Sequence, residues 1–332
     1  MTRAEHGKHT EHRARTGRGR GRRRRGEQVM VPEARFTSYY GLPVLNKPVW
    51  KPLDIAGYLF LGGLAGGSSL LAAGAHATGR RELARTAKAG ALGAVSLSLA
   101  ALVHDLGRPA RFLNMLRVAK PTSPMSMGSW LLLGYGPLAG AAAAAEVTGR
   151  FRRLGALATA GAAVLGPAVA TYTAVLVCDT AVPSWHEGYR QMPFLFAGSG
   201  AAAAAGLGLV FAPAEPARRA AVLGAAAELG VTRLMKRRMG PAAEPLEQGK
   251  AGRLMRASEA LTAAGAGLAA LPGTVRSRAL SATAGAALIA GSAALRFGVF
   301  HAGVASAQDP RYTVVPQRER LENREFPAAR RG

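Results

Sequence analysis

Long apolar runs alternate with short basic connections through the middle of the chain. Residues 55–79 hold no charged side chain and a single histidine, His76; residues 89–104 likewise hold no charge and a single histidine, His104. Residues 121–145, 154–178 and 191–214 carry no charge. About 20 apolar residues let a helix cross the hydrocarbon core of a bilayer, so these five stretches read as membrane spans. Three further stretches are less clean. Residues 217–235 enclose Glu228, with Arg218, Arg219 and Arg233 near the ends. Residues 255–275 carry Glu259, with Arg256 at the start, and 277–303 carry Arg296, with Arg278 at the start. The pattern predicts an all-α integral membrane protein of eight transmembrane helices, arranged as two four-helix bundles. A soluble Ala-rich helical protein would show a polar face every 3.6 residues, and Gly155–Val177 shows no charged face.

Small residues predict how the helices pack. Leu61-Gly62-Gly63-Leu64-Ala65-Gly66-Gly67 places two glycine pairs at four-residue spacing. Such spacing lets helix backbones approach closely in lipid, which implies a tight bundle.

Composition sharpens this picture. Of 332 residues, 19% are charged, below the quarter or so usual for soluble domains. Mean hydropathy is only +0.09 because the spans are built from Ala and Gly. The single cysteine excludes an internal disulfide framework, a zinc finger or an iron–sulfur cluster held by this chain alone. Lys and Arg exceed Asp and Glu by 24, and nine Arg and one Lys fall within residues 1–26. That segment has almost no apolar residues, so 1–35 read as a disordered basic tail. With no apolar core segment it is not a secretory signal peptide. A solvated membrane-proximal tail explains it better than nucleic-acid binding. Residues 36–303 form the membrane domain and 304–332 a flexible C-terminal tail. Basic residues nearly balance between the connections on the two sides. The Arg-rich tails tip the orientation toward both termini in the cytoplasm of a multi-pass cell-membrane protein.

Ionisable groups at membrane depth are costly and mark candidate sites. Asp54 and Tyr58, four apart, share a face at the start of the first helix. His104 and Asp105 close the second. Tyr172 lies late in the fourth, with Asp179 two turns on along the same face. Up-down topology brings these ends to one side of the membrane. An acid, a His and two Tyr suit a ligand with an apolar body and two proton-exchanging carbonyls, which describes a quinone. For Glu259 and Arg296 a structural ion pair is expected. Haem is disfavoured, because His76, His104, His186 and His301 do not form facing pairs.

Several segments in order resemble one family. They are Tyr39-Tyr40-Gly41-Leu42-Pro43, Leu61–Gly67, His104-Asp105-Leu106-Gly107-Arg108-Pro109-Ala110-Arg111-Phe112 and Pro121-Thr122-Ser123-Pro124-Met125-Ser126. They are similar to the membrane subunit of polysulfide reductase and its relatives, the NrfD/PsrC family. The resemblance implies an eight-helix subunit without haem or an iron–sulfur cluster of its own. It implies binding of menaquinone or ubiquinone, and docking of a four-cluster ferredoxin-like iron–sulfur subunit that in turn docks a molybdopterin catalytic subunit. By the same resemblance, Asp105 with His104 takes the catalytic, proton-handling part. Tyr172 resembles the family's quinone-contacting Tyr, and Tyr58 stands where a relative has a His, with Asp54 or Ile55 near a polar partner; Asp179 joins the quinone set only through its place on the Tyr172 face. The connections 106–126 and 179–192, including Pro183-Ser184-Trp185-His186-Glu187, are expected to form the docking face. A secondary transporter and a passive anchor without quinone chemistry are the competing readings. Pro167 is an expected helix interruption, but no matching break occurs in a second half.

Overall fold

The structure, a computed structural model, describes residues 44–106, 108 and 110–325, with side chains through 318. The basic tail 1–35, the Tyr39–Pro43 motif, and Gly107 and Pro109 lie outside the described residues.

The chain is all-helical where described. In order come α1 (Pro52–Ala77), α2 (Arg81–Asp105), the short α3 (Ala110–Met115), α4 (Pro124–Thr148), α5 (Arg152–Cys178), the single turn α6 (Pro183–His186), α7 (Met192–Phe211), α8 (Glu215–Arg238), α9 (Gly249–Ala270), α10 (Arg278–Gln308) and α11 (Arg311–Glu325). Eight of these have 20 residues or more among the elements crossing the bundle, and their spans overlap the eight apolar stretches of the sequence. Six of them, α1, α2, α4, α5, α7 and α10, are long and apolar enough to cross a membrane. Helices α8 and α9 fall short by composition, because α8 carries Glu228, Arg233 and Lys236 and α9 carries Arg253, Arg256 and Glu259. The chain is an all-α membrane protein. Residues 311–325, expected within a flexible tail, form α11 instead.

Local chemistry sets the helix ends. Pro52 and Pro124 open α1 and α4, where a missing N–H costs nothing. Ser123 caps α4 by accepting from the Ser126 amide, and Ser277 caps α10 by accepting from Leu280. Gly149, at φ 67°, ends α4 in the left-handed conformation that glycine adopts without strain. Proline does not break α5: the helix runs on through Pro167, as α4 does through Pro137. In α5, the Thr171 hydroxyl donates to the carbonyl of Pro167 at 2.8 Å.

Antiparallel neighbours pair as α1 with α2, α4 with α5, α7 with α8 and α9 with α10. Helix α1 also packs on α5, α7 and α10. Glycines make this possible. Gly66 of α1 meets the backbone of Gly166 in α5, while Gly63 and Gly67 meet Gly200 in α7. On the far side of α7, Gly206 sits against Gly285 of α10. These are backbone-on-backbone crossings of the kind the small-residue spacing predicts.

Candidate functional site

The start of α1, the end of α2 and the end of α5 lie at one end of the bundle. The Asp54 carboxylate is buried in the first turn of α1. His104, in the last turn of α2, approaches it with Nδ1 2.9 Å from Oδ2. An ionised carboxylate has only acceptors, so Nδ1 carries the hydrogen and donates. That fixes the tautomer and leaves Nε2 as the second proton-handling atom. Lys51 adds a weaker ion pair at 4.0 Å from the same oxygen. The imidazole is 68% exposed and the carboxylate side chain 11%. The pair therefore joins a buried acid to an accessible base.

One turn deeper on the same face, Tyr58 is 2% exposed. Its ring packs edge-on against Tyr172 of α5, with centroids 6.4 Å apart. Ser98 of α2 donates to the Tyr58 carbonyl at 3.3 Å, tying α2 to α1 at this level. The Tyr172 ring has room because residue 128 of α4 is glycine, where a Cβ would fall on the ring. The ring is half-buried while its hydroxyl is buried and has no hydrogen-bond partner among the described residues. A buried hydroxyl without a partner is costly. A carbonyl oxygen brought against Tyr172 would satisfy it.

Not every expected residue joins this group. Asp105 follows His104 on the helix, about 100° further round. With His104 turned to α1, Asp105 is left half-buried with no side-chain hydrogen bond or ion pair among the described residues. The carboxylate that His104 meets is Asp54. Asp179 ends α5 exposed, its side chain likewise without such a partner. Trp185 is not a docking contact: it is 1% exposed, its indole N–H donates to the Val299 carbonyl at 2.8 Å, and it stacks on Trp50 at 5.6 Å. Gly303 makes space for it.

The expected Glu259–Arg296 pair does not form. Glu259 pairs with Lys236 of α8 at 2.8 Å. Arg296 is wholly buried where α1, α7 and α10 meet. Its Nη2 donates to the Phe196 carbonyl at 3.0 Å and its Nε to that of Leu59 at 3.4 Å. The guanidinium also lies 3.7 Å from the Phe196 ring centroid, a cation–π geometry. Glu228 of α8 interacts with it electrostatically and accepts from Thr262 at 2.9 Å and Ser258 at 3.3 Å. Sequence spacing alone had no means of choosing Glu228 over Glu259. The hydroxyls of Ser258 and Thr262, four apart on α9, were the available signal.

Residues 42–235, more than half of the chain, match the family model described as Polysulphide reductase, NrfD. A search of the curated proteins finds no match.

Proposed function

The chain belongs to the NrfD, polysulphide reductase family, and from that premise we propose that it is the quinone-exchanging membrane subunit of an oxidoreductase complex. In this reading its partners are a ferredoxin-like iron–sulfur subunit and a molybdopterin catalytic subunit. The quinone is menaquinone or ubiquinone. All eight long helices span the bilayer in two groups of four, α1, α2, α4 and α5 beside α7 to α10. The polar side chains of α8 and α9 support their place in the membrane: one oxygen of Glu228 accepts from Thr262 and Ser258, and Lys236 finds Glu259, so these groups turn to partners inside the protein.

The observation that carries the reading is the partnerless Tyr172 hydroxyl, one ring away from Tyr58 and on the same side of the bundle as the Asp54–His104 pair. A bound quinone supplies two-electron, two-proton chemistry. Tyr172 donates a hydrogen bond to one carbonyl and orients the ring. Tyr58 closes the inner wall, and its burial excludes water. His104, held by Asp54, takes or gives a proton at Nε2 and exchanges it with the aqueous face through its exposed edge. Asp54 holds the imidazole in one tautomer and fixes the direction of Nε2. Approach of the ligand is taken to be from the Tyr172 side, because Tyr172 is the less buried of the two tyrosines.

Tyr172→Phe removes one oxygen and leaves the packing against Tyr58 and Gly128. Quinone-linked turnover of the assembled complex is expected to fall ~10-fold or more, the scale of a lost hydrogen bond to developing charge. Co-purification of the partner subunits should be unchanged. Wild-type turnover in both Tyr172→Phe and Asp54→Asn, with assembly intact, would remove this site. The continuous α5 argues against the transporter reading, because Pro167 produces no broken helix.

A further inference from the structure

A second group of ionisable residues lies at the opposite end of the helices, between the α1–α2 and α4–α5 turns. A cavity of about 490 Å³ opens there, lined among others by His76, Arg81, Arg85, Lys88, Glu146 and Arg152. Lys88 forms its floor. This side chain is 4% exposed, with Nζ donating to Glu146 Oε2 at 2.8 Å and lying 3.4 Å from His76 Nδ1. Arg85 donates to the other oxygen of Glu146 at 3.3 Å. One carboxylate is thus shared by two cations. The side chains of Arg81 and Arg152 have no hydrogen bond or ion pair among the described residues, and both residues are exposed at the cavity wall.

The backbone adds positive potential of the same sign. Helices α2 and α5 both begin at this cavity, and neither Arg80 nor Phe151 caps the first turn with a side chain. The Arg81 amide turns back to the Gly79 carbonyl at 3.1 Å; uncapped amides in the rest of a first turn carry the positive end of the helix dipole and bind anions. The two connections 77–88 and 146–153 hold seven Lys and Arg against Glu82 and Glu146, and Glu82 does not line the cavity.

Depth identifies the kind of anion. Helices α1 and α5 have 26 and 27 residues, about 40 Å at 1.5 Å per residue. That exceeds a hydrocarbon core of about 30 Å, so their ends reach the headgroup layer. Basic pockets between transmembrane helices at that level suit phosphate groups.

We propose that this cavity binds a phosphate-bearing anion at the membrane surface, with Arg81 and Arg152 as the gripping side chains, the first turns of α2 and α5 beside them, and the Lys88–Glu146 pair as the floor. The inference needs only the membrane reading and stands without the quinone site. A phospholipid headgroup and free inorganic phosphate share this chemistry.

The test uses full-length protein in nanodiscs of phosphatidylcholine. Thermal melting is followed as phosphatidylglycerol is added to the lipid in one arm and inorganic phosphate to the buffer in the other. Bound phospholipid is measured by native mass spectrometry. The variant is Arg81→Gln/Arg152→Gln, chosen because neither arginine has a structural partner. Stabilisation by phosphatidylglycerol that is at least ~10-fold weaker in the variant supports the site and assigns it to a lipid. The same pattern with inorganic phosphate alone supports the site and assigns it to a soluble anion. No stabilisation by either, or equal stabilisation of wild type and variant, overturns the proposal.

Discussion

Gly166→Ala tests how α1 is held. A Cβ at Gly166 would stand 2.7 Å from the Gly66 carbonyl oxygen and 3.5 Å from the Gly66 Cα, whereas ordinary contact begins at 3.4 Å. The two backbones must therefore part by the difference, about 0.7 Å, since no side chain is available to swing aside. Overpacking of this kind costs about 1–3 kcal/mol. Separation of α1 from α5 also loosens the contacts next to the crossing: Gly62 against Thr173, and Tyr58 against Tyr172. For a chain of 332 residues the cost corresponds to a fall in melting temperature of roughly 1.5–4 °C. The assay is thermal melting of the purified protein in detergent, with Gly136→Ala as the control, because a Cβ there meets nothing within 4 Å. The control is expected to melt with the wild type. Adding Gly66→Ala to Gly166→Ala should cost less than the two changes summed, since both contend for one gap. Equal melting of Gly166→Ala and Gly136→Ala would falsify the claim that the α1–α5 crossing is limited by backbone contact.

Three further outcomes are expected. Arg296→Met takes the donors away from the Phe196 and Leu59 carbonyls and removes the cation that acts on Glu228, and should destabilise by about 1–3 kcal/mol, whereas Arg296→Met/Glu228→Gln should recover part of the loss in chemical denaturation; equal stability of the single and double variants would refute the electrostatic coupling. Gly303→Ala drives a methyl into the Trp185 indole and should quench or shift tryptophan fluorescence while lowering the melting temperature, and an unchanged spectrum would contradict the packing. At the start of α11, burial first and then the neighbouring Glu244 push the Tyr312 hydroxyl up to about 12. Because the folded state holds that proton more tightly, its contribution is complete below pH 10 and is lost as pH rises toward 12; Tyr312→Phe should flatten that part of the stability profile, and an identical slope in wild type would count against the assignment.

Much of this architecture was legible in the sequence because lipid imposes a simple rule. The five charge-free stretches lie within or closely overlap α1, α2, α4, α5 and α7, and the glycine spacing in 61–67 pointed to the crossings that α1 makes with α5 and α7. Side-chain partners were less accessible. Helical spacing places Asp54 and Tyr58 on one face, but it cannot say which of two adjacent residues, His104 or Asp105, turns toward α1. Only the rotation of α2 about its axis decides that. The same limit explains Glu259 and Arg296: three helices meet there, and the partner of a buried cation depends on their relative rotation. The burial of Trp185 is not legible in the 179–192 connection, because α6 is one turn long and carries no periodicity. The Lys88–Glu146 pair joins helices α2 and α4 across 58 residues of sequence, and no local pattern reports such a pair.

The contacts of α1 have a consequence for how this scaffold can vary. Where it crosses α5 and α7, the helix presents Gly63, Gly66 and Gly67, so those faces have no side chain to exchange. A change in the size or polarity of the ligand pocket cannot be absorbed by repacking there. Tuning must come from its first turn around Asp54, from the ends of α2 and α5, and from the α4 face at Gly128 that sets the space for Tyr172. The spine stays constant and its rim carries the diversity.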